Sequence, residues 1–471
     1  MLESRLSNKI SIYFIGMMSS KILSVLLIPL YAFYVSASAL GYYDYMQTVM
    51  SITIPIVYIA IWEAILKFVL SESNEVTRKK VISTSAFFSM TITLFLAVLV
   101  FVILYKFTSQ PLSIILLVPI MFVTYGLAVI WQYLARSLEQ NKVYVFAGVV
   151  STIINFLAVL ILVCFVDLKL EGLFLSYIFG QFSIIVFIER KLCIRNYLRI
   201  GHFDYGVLRK MLTFSAPLVL NLISLWLMSA FGRFIITNEL GTNANGLFSF
   251  ANKFSLIITM IGSVITMAIV EEAILSTREK GINPQFKKNI ELICKIFQCA
   301  ILIAVPMIVI FYSFISQTDY YASLKYAPWL LLYAVATTVS ANVGSIFQAI
   351  NKTRYQFLTT VIGSLMTVSI AYIFIASIGI YSVIVGQIVG SIVMLFARYL
   401  LVNKYVNFKI NWIPVINMTV LFIVTTIICL NVSVTMNIVV FLIITAGICF
   451  TNFTLLRNAY IRIFKKVDRQ I

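Results

Sequence analysis

The sequence predicts an all-α, polytopic membrane protein with about 14 transmembrane helices. Three observations carry that prediction. The 471 residues are 61% hydrophobic and only 11% charged, where a soluble domain carries about 25% charged residues. Apolar runs of roughly the 20 residues needed to span a bilayer recur along the whole chain. Lysine and arginine gather in alternate connections between those runs. The runs are long and continuous, which excludes the short alternating segments of a membrane barrel. Helix is then the spanning structure that satisfies every backbone group in lipid.

Taken in order, the runs fall at 10–34, 46–70, 81–105, 111–134, 143–166, 170–188, 211–237, 247–270, 290–314, 327–350, 355–378, 381–396, 412–430 and 436–456. The twelfth is the shortest and can extend to 402. The segment before the first run is short, mixed in charge and without a small-residue cleavage site, so the first run reads as a permanent span. No connection is long enough for a globular domain. The longest inner one, 189–210, follows six spans and reads as a lobe boundary. It divides the chain into 1–210 (spans one to six and linker), 211–403 (seven to twelve) and 404–471 (the last two and a basic tail).

The charges orient the spans. With the N-terminus inside, the outer loops hold only Lys106, Lys169 and Lys325, while most of the 35 Lys and Arg fall in inner segments. An even number of spans with both termini cytoplasmic follows. The net charge of +18 is then a cytoplasmic rim facing anionic membrane lipids, and no nucleic-acid partner is needed to explain it. Cys164, Cys193, Cys294, Cys299, Cys429 and Cys449 form no C-x-x-C pair and read as small apolar residues. His202 stands alone, so no histidine metal site is expected. No cofactor is expected either.

An internal repeat is legible. Ala39-Leu40-Gly41-Tyr42-Tyr43-Asp44-Tyr45 after the first run matches Ala244-Asn245-Gly246-Leu247-Phe248-Ser249-Phe250 after the seventh. Each is a glycine turn followed by aromatic residues. Glu63-Ala64-Ile65-Leu66 recurs as Glu272-Ala273-Ile274-Leu275, one helical turn out of step with the first match. Six spans per half give both halves the same orientation. The expected architecture is two six-helix lobes related by a pseudo-twofold along the membrane normal, plus two extra C-terminal helices.

The chain resembles the bacterial O-antigen (Wzx-type) lipid-linked oligosaccharide flippases of the multidrug/oligosaccharidyl-lipid/polysaccharide exporter superfamily. The resemblance covers the whole layout. Locally it rests on Ile28-Pro29-Leu30-Tyr31, Leu40-Gly41-Tyr42-Tyr43, Gly232-Arg233-Phe234-Ile235-Ile236 and Leu240-Gly241. It implies a bacterial inner-membrane flippase that carries a polyprenyl-pyrophosphate-linked oligosaccharide by alternating access through a cationic cavity. It also leaves room for H+ or Na+ as coupling ion and for other polysaccharide assembly proteins as partners. The alternatives are an organic-cation antiporter of the same superfamily and, from another class, a membrane polymerase or glycosyltransferase. The first should carry mid-depth acids, and the second a long outer loop.

Ionisable residues within spans cost about 3 kcal/mol or more unless they pair or meet water. Lys21 lies mid-span beside Ser19, Ser20 and Ser24; Arg233 and Lys253 lie toward the outer ends of the seventh and eighth spans. These three are the candidate cavity cations, suited to a pyrophosphate because Arg offers forked donors and Lys a compact charge. Tyr42, Tyr43, Gln47, Asn221 and Trp226 are candidate sugar contacts. Glu63 and Lys67 have the spacing and order of an intrahelical ion pair, with a gate or coupling role as the alternative. Glu271 and Glu272 suit an inner gate. Asp44 suits a helix N-terminus and could lock an outer gate. No Walker A sequence, carboxylate dyad or nucleophile–base arrangement is present, so neither ATP hydrolysis by that route nor enzymatic chemistry is expected.

Overall fold

The computed structural model describes residues 23, 25–72, 74–277, 284–350, 352–405 and 410–451, without the side chains at 200, 264–265, 267–277, 284–289 and 348–349. Every regular element among the described residues is helical. The first is α1, Val25–Tyr34, followed by α2 (Ala37–Val57), α3 (Ile61–Leu70), α4 (Glu75–Phe107), α5 (Leu112–Ser137), α6 (Asn141–Val159), α7 (Lys169–Leu192) and α8 (Tyr205–Ser229). Then come α9 (Phe231–Thr277), α10 (Pro284–Phe314), α11 (Ala327–Ala349), α12 (Thr353–Ile378), α13 (Ile380–Asn403), α14 (Ile413–Asn431) and α15 (Val434–Thr451). Twelve helices are individually long and apolar enough to cross a bilayer, and α2 with α3 passes as a bent pair. With α1, each of the fourteen predicted runs contains helix.

Capping residues set several starts. Ser36 accepts the Ala39 N–H ahead of α2, Asn74 accepts from Val76 and Thr77 ahead of α4, and Asp204 accepts from Val207 ahead of α8. Each supplies an acceptor to the otherwise unpaired first-turn donors. The linker before α8 is pinned to α4. Ser83 Oγ bonds both the N–H and the carbonyl of Arg199, and Thr84 Oγ1 accepts from Asp204 N.

Two predicted spans are not continuous helices. The second bends by 53° between α2 and α3. Pro55 removes one helical donor near the bend, and Ile59 and Ala60 adopt left-handed backbone at φ 51° and 46°. The seventh, predicted at 211–237, ends as α8 at Ser229, and the chain restarts at Phe231. Gly241, at φ 86° and ψ 172°, then interrupts α9; glycine lacks the Cβ that penalises positive φ. Arg398 lies just past 396, within the reach of the twelfth run's extension to 402. The twelfth span extends to Asn403 as α13, and Arg398 is buried within it, donating to the Ser340 carbonyl at 2.7 Å.

Packing separates two compact units. One contains the described residues up to Lys253 with Phe357–Gly390; the other contains Phe254–Gln356 and the residues from Ser391 onward. In the first, α5 packs against α3, α4 and α7, α6 packs on α7, and α8 packs on α2 and α3. Ser85, Ser89 and Thr93 of α4 are buried there, each returning its hydroxyl to a carbonyl on its own helix. Small self-satisfied side chains of this kind allow close helix approach in an apolar medium. In the second unit, α10 packs against α11, α14 and α15.

Candidate functional site

The repeat places the site. Gly41 near the start of α2 lies against α9 just past its kink: a Cβ on Gly41 would overlap the Thr242 carbonyl oxygen, and one on Gly246 would overlap that of Ala37. These contacts are reciprocal. Gly41 corresponds to Gly246, and Ala37 to Thr242, under the alignment read from the sequence. Each glycine therefore meets the repeat equivalent of the residue four before itself. Neither helix can approach so closely with a side chain in the contact.

Polar groups flank this crossing. Asn245 Nδ2 donates to the Gly41 carbonyl at 2.8 Å, and the Ser38 and Thr242 hydroxyls are 2.8 Å apart. One helical turn on, Ser249 Oγ donates to Asp44 Oδ2 at 2.6 Å. Ser249 is the repeat equivalent of Asp44, offset by 205 residues. The same carboxylate oxygen lies 2.8 Å from Arg233 Nε. That is ion-pair contact without the alignment of a hydrogen bond. Both side chains are largely shielded, at 17% and 19% exposed.

Lys253 completes the charge cluster. Its Nζ sits 4.6 Å from the centre of the Tyr31 ring, a cation–π contact, and it interacts electrostatically with both Asp44 and Arg233. Arg233 pairs directly with Asp44, and Lys253 stands near that pair. Around them Tyr45 stacks on Phe234 at 5.9 Å and donates to Asn238. Trp226 donates its indole N–H to the Thr48 carbonyl and to Ser51 Oγ, each at 3.1 Å. Tyr43 accepts from Gln47 Nε2 at 2.8 Å and sits edge-on to Phe174.

Of the sequence-predicted residues, Asp44, Arg233 and Lys253 come together; Tyr42, Tyr43 and Gln47 lie on α2 with Asp44, and Trp226 lies in the last turn of α8, bonded to α2. Asn221 is exposed on α8. Lys21 lies outside the described residues, as do the side chains of Glu271 and Glu272 on α9. The expected Glu63–Lys67 ion pair does not form. Glu63 instead accepts from the Tyr133 hydroxyl at 3.0 Å, while Lys67 lies 3.8 Å from the centre of the Phe214 ring. Both side chains find partners on neighbouring helices, so the favourable i,i+4 order is not used. Tyr31, Asn245 and Ser249 were not singled out from sequence. The repeat alignment was the available signal, because residues near a twofold axis meet their own equivalents.

The sequence of residues 6–270, more than half the chain, matches the model of the family described as "Polysaccharide biosynthesis protein". The chain belongs to this family. Among solved structures, the family member resembles the lipid II flippase MurJ in its inward closed conformation, with a TM-score of 0.73 and 13% identity over 94% of this chain and 99% of that one. An inward-facing multidrug resistance MATE transporter of the MOP superfamily gives 0.64 and 14% over 84% and 94%. A MOP superfamily transporter from Pyrococcus furiosus, described as having a binding pocket of reverse polarity, gives 0.56 and 16% over 84% and 96%. At these identities the likeness establishes the fold alone, one shared with these transporter and flippase structures. No curated protein sequence matches the chain.

Proposed function

We propose that this protein is a flippase for a polyprenyl-pyrophosphate-linked oligosaccharide, an O-antigen or similar surface-polysaccharide repeat unit. On this reading it moves its substrate from the cytoplasmic to the outer leaflet of a bacterial inner membrane by alternating access. The observation that carries the proposal is the shielded cluster in which Arg233 pairs with the carboxylate of Asp44 while Lys253, on the Tyr31 ring, stands near that pair. A cluster with surplus positive charge at bilayer depth suits an anionic headgroup and opposes an organic cation. Family membership supports the polysaccharide assignment.

On this reading the Asp44–Arg233 pair and the Gly41–Gly246 crossing form an outer gate. A pyrophosphate arriving from inside offers Arg233 more anionic oxygens than Asp44 does. Exchange of Arg233 from carboxylate to phosphate releases α2 from the chain around Arg233 and favours opening to the outside. Lys253 then holds the phosphate while Arg233 changes partner. An H+ or Na+ gradient and neighbouring assembly proteins would supply direction, and the lipid tail stays in the bilayer.

The test is complementation of a flippase-deficient strain, with surface polysaccharide and membrane protein level both measured. Arg233→Glu and Lys253→Glu should abolish polysaccharide at normal protein level, and Arg233→Lys should retain part of it. Lys21→Glu is expected to behave as the other reversals do. Full polysaccharide from the Arg233 and Lys253 reversals would remove both residues from the substrate path.

A further inference from the structure

A second polar site lies in the other compact unit, remote in sequence from the Asp44 cluster. Glu291, Lys295 and Gln298 form an i, i+4, i+7 stripe on α10. They face Asn411 and the first turns of α14 across a groove of about 380 Å³, within the range of small-ligand pockets. Three bonds hold the walls together. The Asn411 N–H donates to Glu291 Oε1 at 3.2 Å, and Gln298 Nε2 donates to the Val415 carbonyl at 2.8 Å and to Thr419 Oγ1 at 3.2 Å. Lys295 has no ion pair among the described residues. Pro414, Val415 and Met418 supply an apolar floor. The flanks beyond are exposed and apolar: Ile296 on α10, and Ile413 and Ile416 on α14. On spanning helices such faces lie against lipid chains.

We propose that this groove binds the headgroup of a zwitterionic phospholipid with a primary ammonium, phosphatidylethanolamine. Among the described residues the pocket offers one acid and one base, about 6 Å apart along the helix, at the head of a lipid-facing apolar flank. A primary ammonium can donate hydrogen bonds to Glu291 while the phosphate accepts from Lys295. Phosphatidylglycerol presents Glu291 with no cation. Phosphatidylcholine presents a cation that cannot donate a hydrogen bond. A pyrophosphate would bring its extra charge up against Glu291, which separates this site from the cationic cluster.

The experiment is native mass spectrometry of the detergent-purified full chain titrated with each of the three phospholipids. Wild type should hold phosphatidylethanolamine about tenfold more tightly than either other lipid. Glu291→Gln should erase its advantage over phosphatidylcholine, Lys295→Ala should weaken all three, and Lys295→Arg should retain binding. Soluble phosphoethanolamine should fail to compete, since it lacks chains for the apolar flank. Equal phosphatidylethanolamine binding by wild type and the Glu291→Gln/Lys295→Ala double variant would overturn the proposal. So would equal or tighter binding of phosphatidylglycerol, or full competition by soluble phosphoethanolamine. If the double variant does not fold, the lipid ranking of wild type alone decides.

Discussion

At the residue scale, Asp44 is the sole acid of its cluster among the described residues and serves two direct partners, Arg233 and Ser249. Removing one side of a buried ion pair costs about 3–5 kcal/mol because the other charge stays behind unpaired. Here both side chains keep 17–19% exposure, which screens part of that charge, so Asp44→Asn should cost about 2 kcal/mol. Arg233→Gln should cost a similar amount. The swap Asp44→Arg/Arg233→Asp should recover most of the loss in thermal unfolding of the purified protein, and the part not recovered measures the Ser249 bond. No recovery would mean that the charges act independently. The close approach of Gly41 makes a second prediction. Gly41→Ala places a methyl on a backbone carbonyl that no rotamer change can move. It should destabilise by about 1–3 kcal/mol, whereas alanine in an ordinary helix would stabilise by about 1 kcal/mol. The Asp44–Arg233 pair was not legible from sequence separation. Its ingredients were: Asp44 aligned with Ser249 and Gly41 with Gly246, and only the packing of the two repeats turns that alignment into a contact.

At the element scale, the fourteen apolar runs were legible because burial in lipid demands continuous hydrophobicity, but their interruptions were not. Pro55 marks a possible kink, yet Ile59 and Ala60 carry no turn signature; a β-branched residue at positive φ is an outlier in any sequence scale. Tertiary packing holds the bend: Tyr58 and Ala60 are fully buried, and the Tyr58 hydroxyl bonds Thr93 on α4. The sign of one substitution tests it. In a continuous helix Ala60→Gly should destabilise by about 1 kcal/mol. At φ 46° it relieves a left-handed penalty of about 1–2 kcal/mol and gives up one buried methyl worth about 0.8 kcal/mol. Unfolding of the variant should therefore show unchanged or slightly raised stability. The Glu63–Lys67 spacing misled for a related reason: local order favours the pair by only about 0.2–0.5 kcal/mol, and a phenol and an aromatic ring on other helices offer each charge more.

At the scale of the whole molecule, the proposed direction of transport depends on which face the Asp44 cluster occupies. The proposed orientation combines helix count with charge. On the proposed reading, fourteen spans would place both ends of the chain on one side, and the distribution of Lys and Arg would assign that side to the cytoplasm. A single miscounted span would invert every later connection; among the described residues each predicted run contains helix, the broken second and seventh included. The turns 35–36, 108–111, 167–168 and 316–326 should therefore face outward, and 138–140 and 193–204 inward. In a variant lacking the six native cysteines, Ser109→Cys and Thr318→Cys should react with a membrane-impermeant maleimide in intact cells. Glu139→Cys and Arg195→Cys should react only after the membrane is opened. Labelling of Glu139→Cys from outside would reverse the assignment. The Asp44–Arg233 cluster, near the turns at 35–36 and 241, would then close the cytoplasmic side, and the anion-driven exchange at Arg233 would admit substrate instead of releasing it.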